Sequence, residues 1–219
     1  MESASSATRL WLGDWGPIVR DPIDLLRAAY VVAAIVYASA TGEGVVNLAA
    51  SSVAVVAARF VNLPRVYDLA FIGAMTLTGW GEALGLYDRF THYDTVVHFL
   101  VPATIAPIVY ILLARAEVVP RLHDTSERRH HLGVFVVTLS FGLAIGALWE
   151  IFEWTSDHVV GSHLVLGEQD TVGDLVADGC GAAFGAALLL VWSIFGWGSE
   201  RRAPGVEARK TASAHNSYR

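Results

Sequence analysis

The chain has 219 residues, of which 54% are hydrophobic and only 16% charged, and its mean hydropathy is +0.47. An ordinary soluble domain carries closer to a quarter charged residues, so that class is excluded. The formal net charge of −6 points away from nucleic acid, a polyanion that binds basic surfaces, but the charges are segregated along the chain and their positions say more than their sum.

Residues 1–21 come first. "RLWLGDWGPIVR" (9–20) places Trp11, Trp15 and two arginines ahead of any long apolar run, as expected of an interfacial segment on the cytoplasmic side. Met1 to Thr8 has no basic region followed by an apolar core, so no secretory signal is expected. A hydrocarbon core of about 30 Å takes roughly 20 helical residues to cross. Six stretches fit or nearly fit: 22–40, 44–63, 66–86, 94–114, 132–154 and 171–197. The second is the shortest, since its apolar run ends at Arg59. Residues 199–219 are polar and contain Gly, Ala and Ser, a composition expected to give a disordered tail. The single cysteine, Cys180, lies in the last span and excludes an intramolecular disulfide. The expectation is an all-α, polytopic membrane protein with a six-helix transmembrane domain over 22–198.

The basic residues orient it. Arg9, Arg20 and Arg27 precede or open the first span, and Arg59 and Arg65 separate the second from the third. Arg115, Arg121, Arg128 and Arg129 follow the fourth, and Arg201, Arg202, Arg209, Lys210 and Arg219 lie in the tail. Of the 15 Lys and Arg residues, only Arg89 falls in an odd-numbered loop. The positive-inside rule then makes both termini cytoplasmic. The turn Thr41–Gly44, residues 87–93 and a long loop over 155–170 are expected outside. Asp24 and Asp68 sit at inner helix ends, where water is expected to reach them.

The outer end holds the unusual chemistry. In "GALWEIFEWTSDHVVG" (146–161), Glu150, Glu153 and Asp157 fall within roughly 60° of one another on a helix. Asp170, Asp174 and Asp178 are spaced four apart, with Gly181 and Gly185 continuing the stripe as close-packing positions. Asp94 and His98 are also four apart. Measured from Trp154, Thr171 and Asp94, residues Glu150, Asp178 and His98 lie roughly 6–10 Å inside at 1.5 Å per residue. Three helices thus offer polar groups at one depth. Acids converging there with only Arg89 as a basic neighbour cannot all stay ionised, because burial and like charge both oppose the charged form. Either some are protonated or a cation neutralises them. A divalent metal is the economical answer. Candidate ligands are Asp94, His98, Glu150, Glu153, Asp174 and Asp178. Carboxylates with an imidazole suit Zn, Mn or Fe, and without it Ca or Mg.

Blander readings stand beside these. Asp157 and Asp170 can be solvated boundary acids, and His98 a hydrogen-bonded packing residue. Trp149 and Trp154 read as interfacial belt residues. Pro102 and Pro107 are expected to kink the fourth span and shape a cavity beside His98. Roles for Asp88, Arg89, Asp157 and Asp170 stay open.

Three motifs carry a resemblance: Asp94-x-x-x-His98-Phe99, Trp149-Glu150-x-x-Glu153-Trp154, and Leu166-Gly167-x-Gln169 leading to Asp174-x-x-x-Asp178 and Gly181-Ala182. Together, over roughly residues 66–190, the chain resembles the YjdF-like family of bacterial inner-membrane proteins and, more distantly, VanZ-like proteins. The resemblance implies six helices in the inner membrane with the acids forming a shared site. It supplies no reaction, since the YjdF-like function is unknown. VanZ-like proteins are associated with glycopeptide resistance, which points toward the outer envelope.

Three function classes follow. One is a membrane-embedded metal-dependent hydrolase acting on an envelope or lipid substrate, with Glu153 as general base. Another is a non-catalytic envelope or accessory protein with a structural metal. The last is a proton- or cation-linked transporter, for which intramembrane acids are the usual mark. Membrane lipids are the expected partners; protein partners and oligomeric state are left open.

Overall fold

The computed structural model describes residues 19, 22–61, 63–122, 129–160 and 168–195, and the described residues contain helices and no strand. α1 is Pro22–Thr41, α2 Val45–Ala57 and α3 Arg65–Ala83, with a single 3-10 turn at Ala58–Phe60 between α2 and α3. A short α4 (Leu86–Arg89) leads into α5 (Tyr93–Arg115), followed by α6 (His130–Val160) and α7 (Glu168–Phe195). Four of these, α1, α5, α6 and α7, are long and apolar enough to cross a membrane. α2 has only 13 residues, about 20 Å at 1.5 Å per residue, and α3, at 19 residues, is not among the four. The expected six spans are thus six helices, four of which meet the length and composition of a crossing.

Large apolar side chains point outward along these helices, including Ile35, Val36, Leu148, Phe152, Phe184, Leu188 and Ile194. In water this would be an unusually apolar surface; against lipid it is the surface a spanning helix needs.

The tight turn between α1 and α2 requires glycine twice. Gly42 and Gly44 have φ of +76° and +59°, and a Cβ on Gly44 would also press on Ala83 at the end of α3. This close approach ties the top of α1–α2 to the top of α3. α1, α2 and α3 share small cores around Tyr30, Val55 and Ile72 and around Ala34, Leu48 and Ala83. α5, α6 and α7 pack against one another, α5 with α7 most extensively, and α3 joins the two groups by packing on α5. The larger core, around Tyr67, Tyr110, Ile111, Val134 and Leu189, lies at the end of the bundle away from His98.

Glycine makes the α5–α7 seam tight. A Cβ on Gly181 would land on the Phe99 carbonyl, and one on Gly185 on the Ala103 carbonyl. Pro107 has no N–H to offer the Ala103 oxygen four residues earlier, and Gly185 lets α7 lie against that oxygen. α5 runs through Pro102 and Pro107 as one helix, with both rings fully buried.

Two expectations are corrected. The loop expected over 155–170 is helical at both ends, since α6 continues to Val160 and α7 begins at Glu168. Thr155 to Val160 contains no glycine or proline, and Gly161 is the first breaker. Asp157 and His158 therefore lie on α6. The second correction concerns Asp24 and Asp68, which are buried rather than water-exposed. Arg27 donates to Asp24 at 2.9 Å and pairs with Asp68, and Arg59 reaches Asp24 at 3.0 Å. Residues 1–21 apart from Val19, the tail 199–219, His123 and His163 lie outside the described residues.

Candidate functional site

α5 presents Asp94 and His98 one turn apart, with His98 buried and Asp94 partly open. α7 presents Asp174 and Asp178 in the same way, both buried, and α6 presents buried Glu150 with half-buried Glu153. The i, i+4 spacing in each helix puts both of its polar groups on one face, and the glycine-lined seam draws those faces together.

His98 is the hub. Its Nδ1 lies 3.2 Å from Asp178 Oδ1 and 3.8 Å from Glu150 Oε1, while Nε2 on the opposite edge lies 3.6 Å from Asp94 Oδ1. The imidazole thus contacts carboxylates from all three helices. Asp94, His98 and Asp174 can each bring one ligand atom within 4.8 Å of the others, and so can His98, Glu150 and Glu153. Asp178 is in neither triplet: its carboxylate bonds His98 and packs against Gly146, where any Cβ would collide with it.

Two oxygens in the cluster, Glu150 Oε1 and Asp178 Oδ2, are buried and accept no hydrogen bond. A buried acceptor left unbonded costs about 1–3 kcal/mol, more if charged. The described residues offer one imidazole to five carboxylates. Arg89 is exposed and forms no ion pair with them. The acids outnumber the basic groups that face them.

The six residues singled out from sequence therefore converge. Asp157 and Asp170 are partly buried, and neither belongs to the ligand triplets. Asp88 is exposed on α4. Sequence reasoning missed four supporting residues. Gly146 makes room for Asp178, and Thr171 lies within hydrogen-bonding reach of Glu150. Trp149 is more than a belt residue, since its indole N–H donates to Glu153 at 2.9 Å. Tyr87 on α4 packs edge-on against Tyr93, and burial, with Asp94 among the nearby charges, raises the pKa of its phenol so that it stays neutral. The Gly142-x-x-x-Gly146 spacing was a readable signal for the first of these; the others depend on how three helices meet.

The sequence has a counterpart in a known family. The model of the family described as "Predicted membrane protein (DUF2238)" matches residues 24–194, a stretch that runs from α1 into the last turn of α7. The chain belongs to this DUF2238 family. No curated protein and no solved structure matches it. Membership makes it a membrane protein, in agreement with the four long apolar helices, and every residue of the His98 cluster lies inside the matched stretch.

Proposed function

We propose that this chain is a bacterial inner-membrane protein with six spans and cytoplasmic termini, whose His98 cluster binds a divalent cation in the outer half of the membrane for hydrolysis of an envelope or lipid substrate. The observation that carries the reading is the two-sided setting of His98. A metal-bound histidine typically gives its other N–H to a carboxylate. Asp178 is placed to receive that proton at Nδ1, leaving Nε2 toward Asp94 as the metal edge. Asp94 and Asp174 then supply the oxygens. An imidazole with two carboxylates suits Zn, Mn or Fe, and leaves a position for water. Such an ion lowers the pKa of bound water and polarises a carbonyl or phosphoryl oxygen. Glu153, held by Trp149 and half-open, is placed to accept the proton, and Glu150 adds negative charge behind it.

Transport fits less well. Thr138 and Ser140 on the inner half of α6 bond the Val134 and Val136 carbonyls of their own helix, and Ser193 on α7 bonds the Leu122 carbonyl. These polar groups are turned inward to backbone rather than strung along a path, whereas a carrier's site lies near the midplane with access from both sides. The accessory-protein reading keeps the metal and drops the chemistry; it is favoured by the way one ion would tie α5, α6 and α7 together.

Metal analysis of detergent-purified protein tests the site. We expect about one Zn, Mn or Fe per chain, reduced in His98→Ala and Asp174→Asn. Equal metal in wild type and His98→Ala would remove the basis of the reading. Orientation is tested separately, with cysteines placed at His163 and Thr125 in a Cys180→Ser background. An impermeant thiol reagent on intact cells is expected to label position 163; labelling of 125 would invert the topology.

A further inference from the structure

A groove of about 490 Å³ opens on the outside of the α5–α7 seam. Its walls include Thr95, Phe99 and Leu100 from α5 and Gly173, Val176 and Cys180 from α7. Thr95 and Phe99 each follow a site residue, Asp94 and His98, by one position, about 100° around the helix. Gly173 directly precedes Asp174. Groove and acidic site are therefore the outer and inner sides of the same helical turns, and the partly open Asp94 directly precedes Thr95 of the groove wall.

We infer that this groove seats one acyl chain of a bilayer lipid, with the lipid's head-group linkage brought to Asp94. The inference rests on the proposed hydrolytic site for the use of that linkage, but the seat itself does not require it. The placement supports it first. α5 begins at Tyr93, so Asp94 lies at the membrane boundary and Phe99 about 7.5 Å deeper. A lipid standing normally in the bilayer would have its head at Asp94 and its chain running down the groove. The shape of the seam supports it next. At Gly181 and Gly185 the missing side chains let α5 press against α7, whereas a Cβ on Gly173 would meet nothing within 4 Å. There glycine leaves space instead of closing it. Phe99 and Phe184, with ring centroids 5.6 Å apart, pack together at the deep end.

Size excludes the other obvious occupant. Thr95 to Leu100 spans about 7.5 Å and Gly173 to Cys180 about 10.5 Å, roughly the diameter of one helix. A second copy docking there would bury far less than the ~1,200 Å² of a stable interface.

The test uses full-length protein in nanodiscs of phosphatidylethanolamine carrying a photoactivatable diazirine near the top of one acyl chain, with adducts mapped by mass spectrometry. Adducts are expected to concentrate at Val176 and Cys180 rather than at Val172, which is exposed on the outer turns of the same helix but does not line the groove. Gly173→Leu starts a side chain where a Cβ meets nothing within 4 Å and favours helix. It should lower the Val176/Cys180 adduct to the level of exposed positions outside the groove. Even labelling along α7, or labelling unchanged by Gly173→Leu, would overturn the seat, as would ready oxidation of Cys180 to a disulfide-linked dimer, which would put a second copy there. Metal content read on the same samples separates the two proposals. Wild-type protein without metal but with the localised adduct removes the hydrolytic site and leaves the lipid seat.

Discussion

The molecule buries charge at both ends of its helices, and the two ends are built differently. At the base of α1–α3, Asp24 and Asp68 meet Arg27 and Arg59, and Arg27 also donates to the Val55 carbonyl at 3.1 Å. Two carboxylates face two guanidiniums, all supplied by the chain. At the start of α5, five carboxylates surround His98 alone, and two of their oxygens accept no hydrogen bond. The first cluster balances its charges within the chain. The second gathers more acids than the chain supplies basic groups to face them.

The largest effect is expected at the inner cluster. Arg27→Leu takes the guanidinium away from an Asp68 carboxylate with no solvent exposure, a change that costs about 3–5 kcal/mol for buried pairs. Unfolding midpoints in bicelles should fall accordingly, and Arg27→Leu/Asp68→Leu should recover much of the loss. A single variant as stable as wild type would mean that the pair does not hold α1 to α3.

At the outer cluster the sign should reverse. Asp174→Asn removes one of several crowded acids, so metal-free protein should be no less stable than wild type. Wild type should gain about 2.7 kcal/mol with metal at a hundredfold excess over Kd, as linkage requires, and Asp174→Asn should lose that gain. An Asp174→Asn that destabilises metal-free protein as much as Arg27→Leu does would show that the two clusters are the same kind of structure.

This contrast explains what could be read from the sequence. Helix positions followed from apolar run length, and the i, i+4 repeats at Asp94/His98 and Asp174/Asp178 put each pair on a face before any tertiary structure was known. The inner cluster was misread because Arg27 counts as a topology marker by sequence, and nothing local says that it turns inward to Asp68, 41 residues away. The α6 extension to Val160 was missed because polarity in Thr155–His158 looks like a loop, although polar residues continue a helix freely once it leaves the lipid. Asp178 is legible as an acid at the right depth. That it bonds His98 while resting on Gly146 is a property of three helices together.

A smaller effect is expected from the glycines that bring the outer cluster together. Gly181→Ala drives a methyl into the Phe99 carbonyl, and overpacking of this kind costs about 1–3 kcal/mol. Gly173→Ala, which meets open space, should instead gain up to about 1 kcal/mol from helix propensity. Thermal unfolding of the two variants side by side checks this, and equal shifts would mean that the seam is not held by close backbone approach.

The smallest expected change is also the most specific to the site. Trp149→Phe keeps an aromatic ring beside Phe152, whose centroid lies 5.5 Å away, and keeps an apolar group at the membrane boundary. It deletes only the N–H that holds Glu153 at 2.9 Å. Trp149 is half-exposed, so water can replace the lost donor and stability should change by less than about 1 kcal/mol. Metal affinity is another matter. Glu153 stands in one of the two ligand triplets with His98, and removing a group that orients such a carboxylate typically weakens binding by about tenfold or more. Zinc and manganese titrations of Trp149→Phe should show that weakening at nearly unchanged stability. Affinity equal to wild type would detach Glu153 from the metal and leave Asp94, His98 and Asp174 as the whole of the site, a result that would sharpen the contrast with the self-sufficient inner cluster by narrowing what the outer one needs.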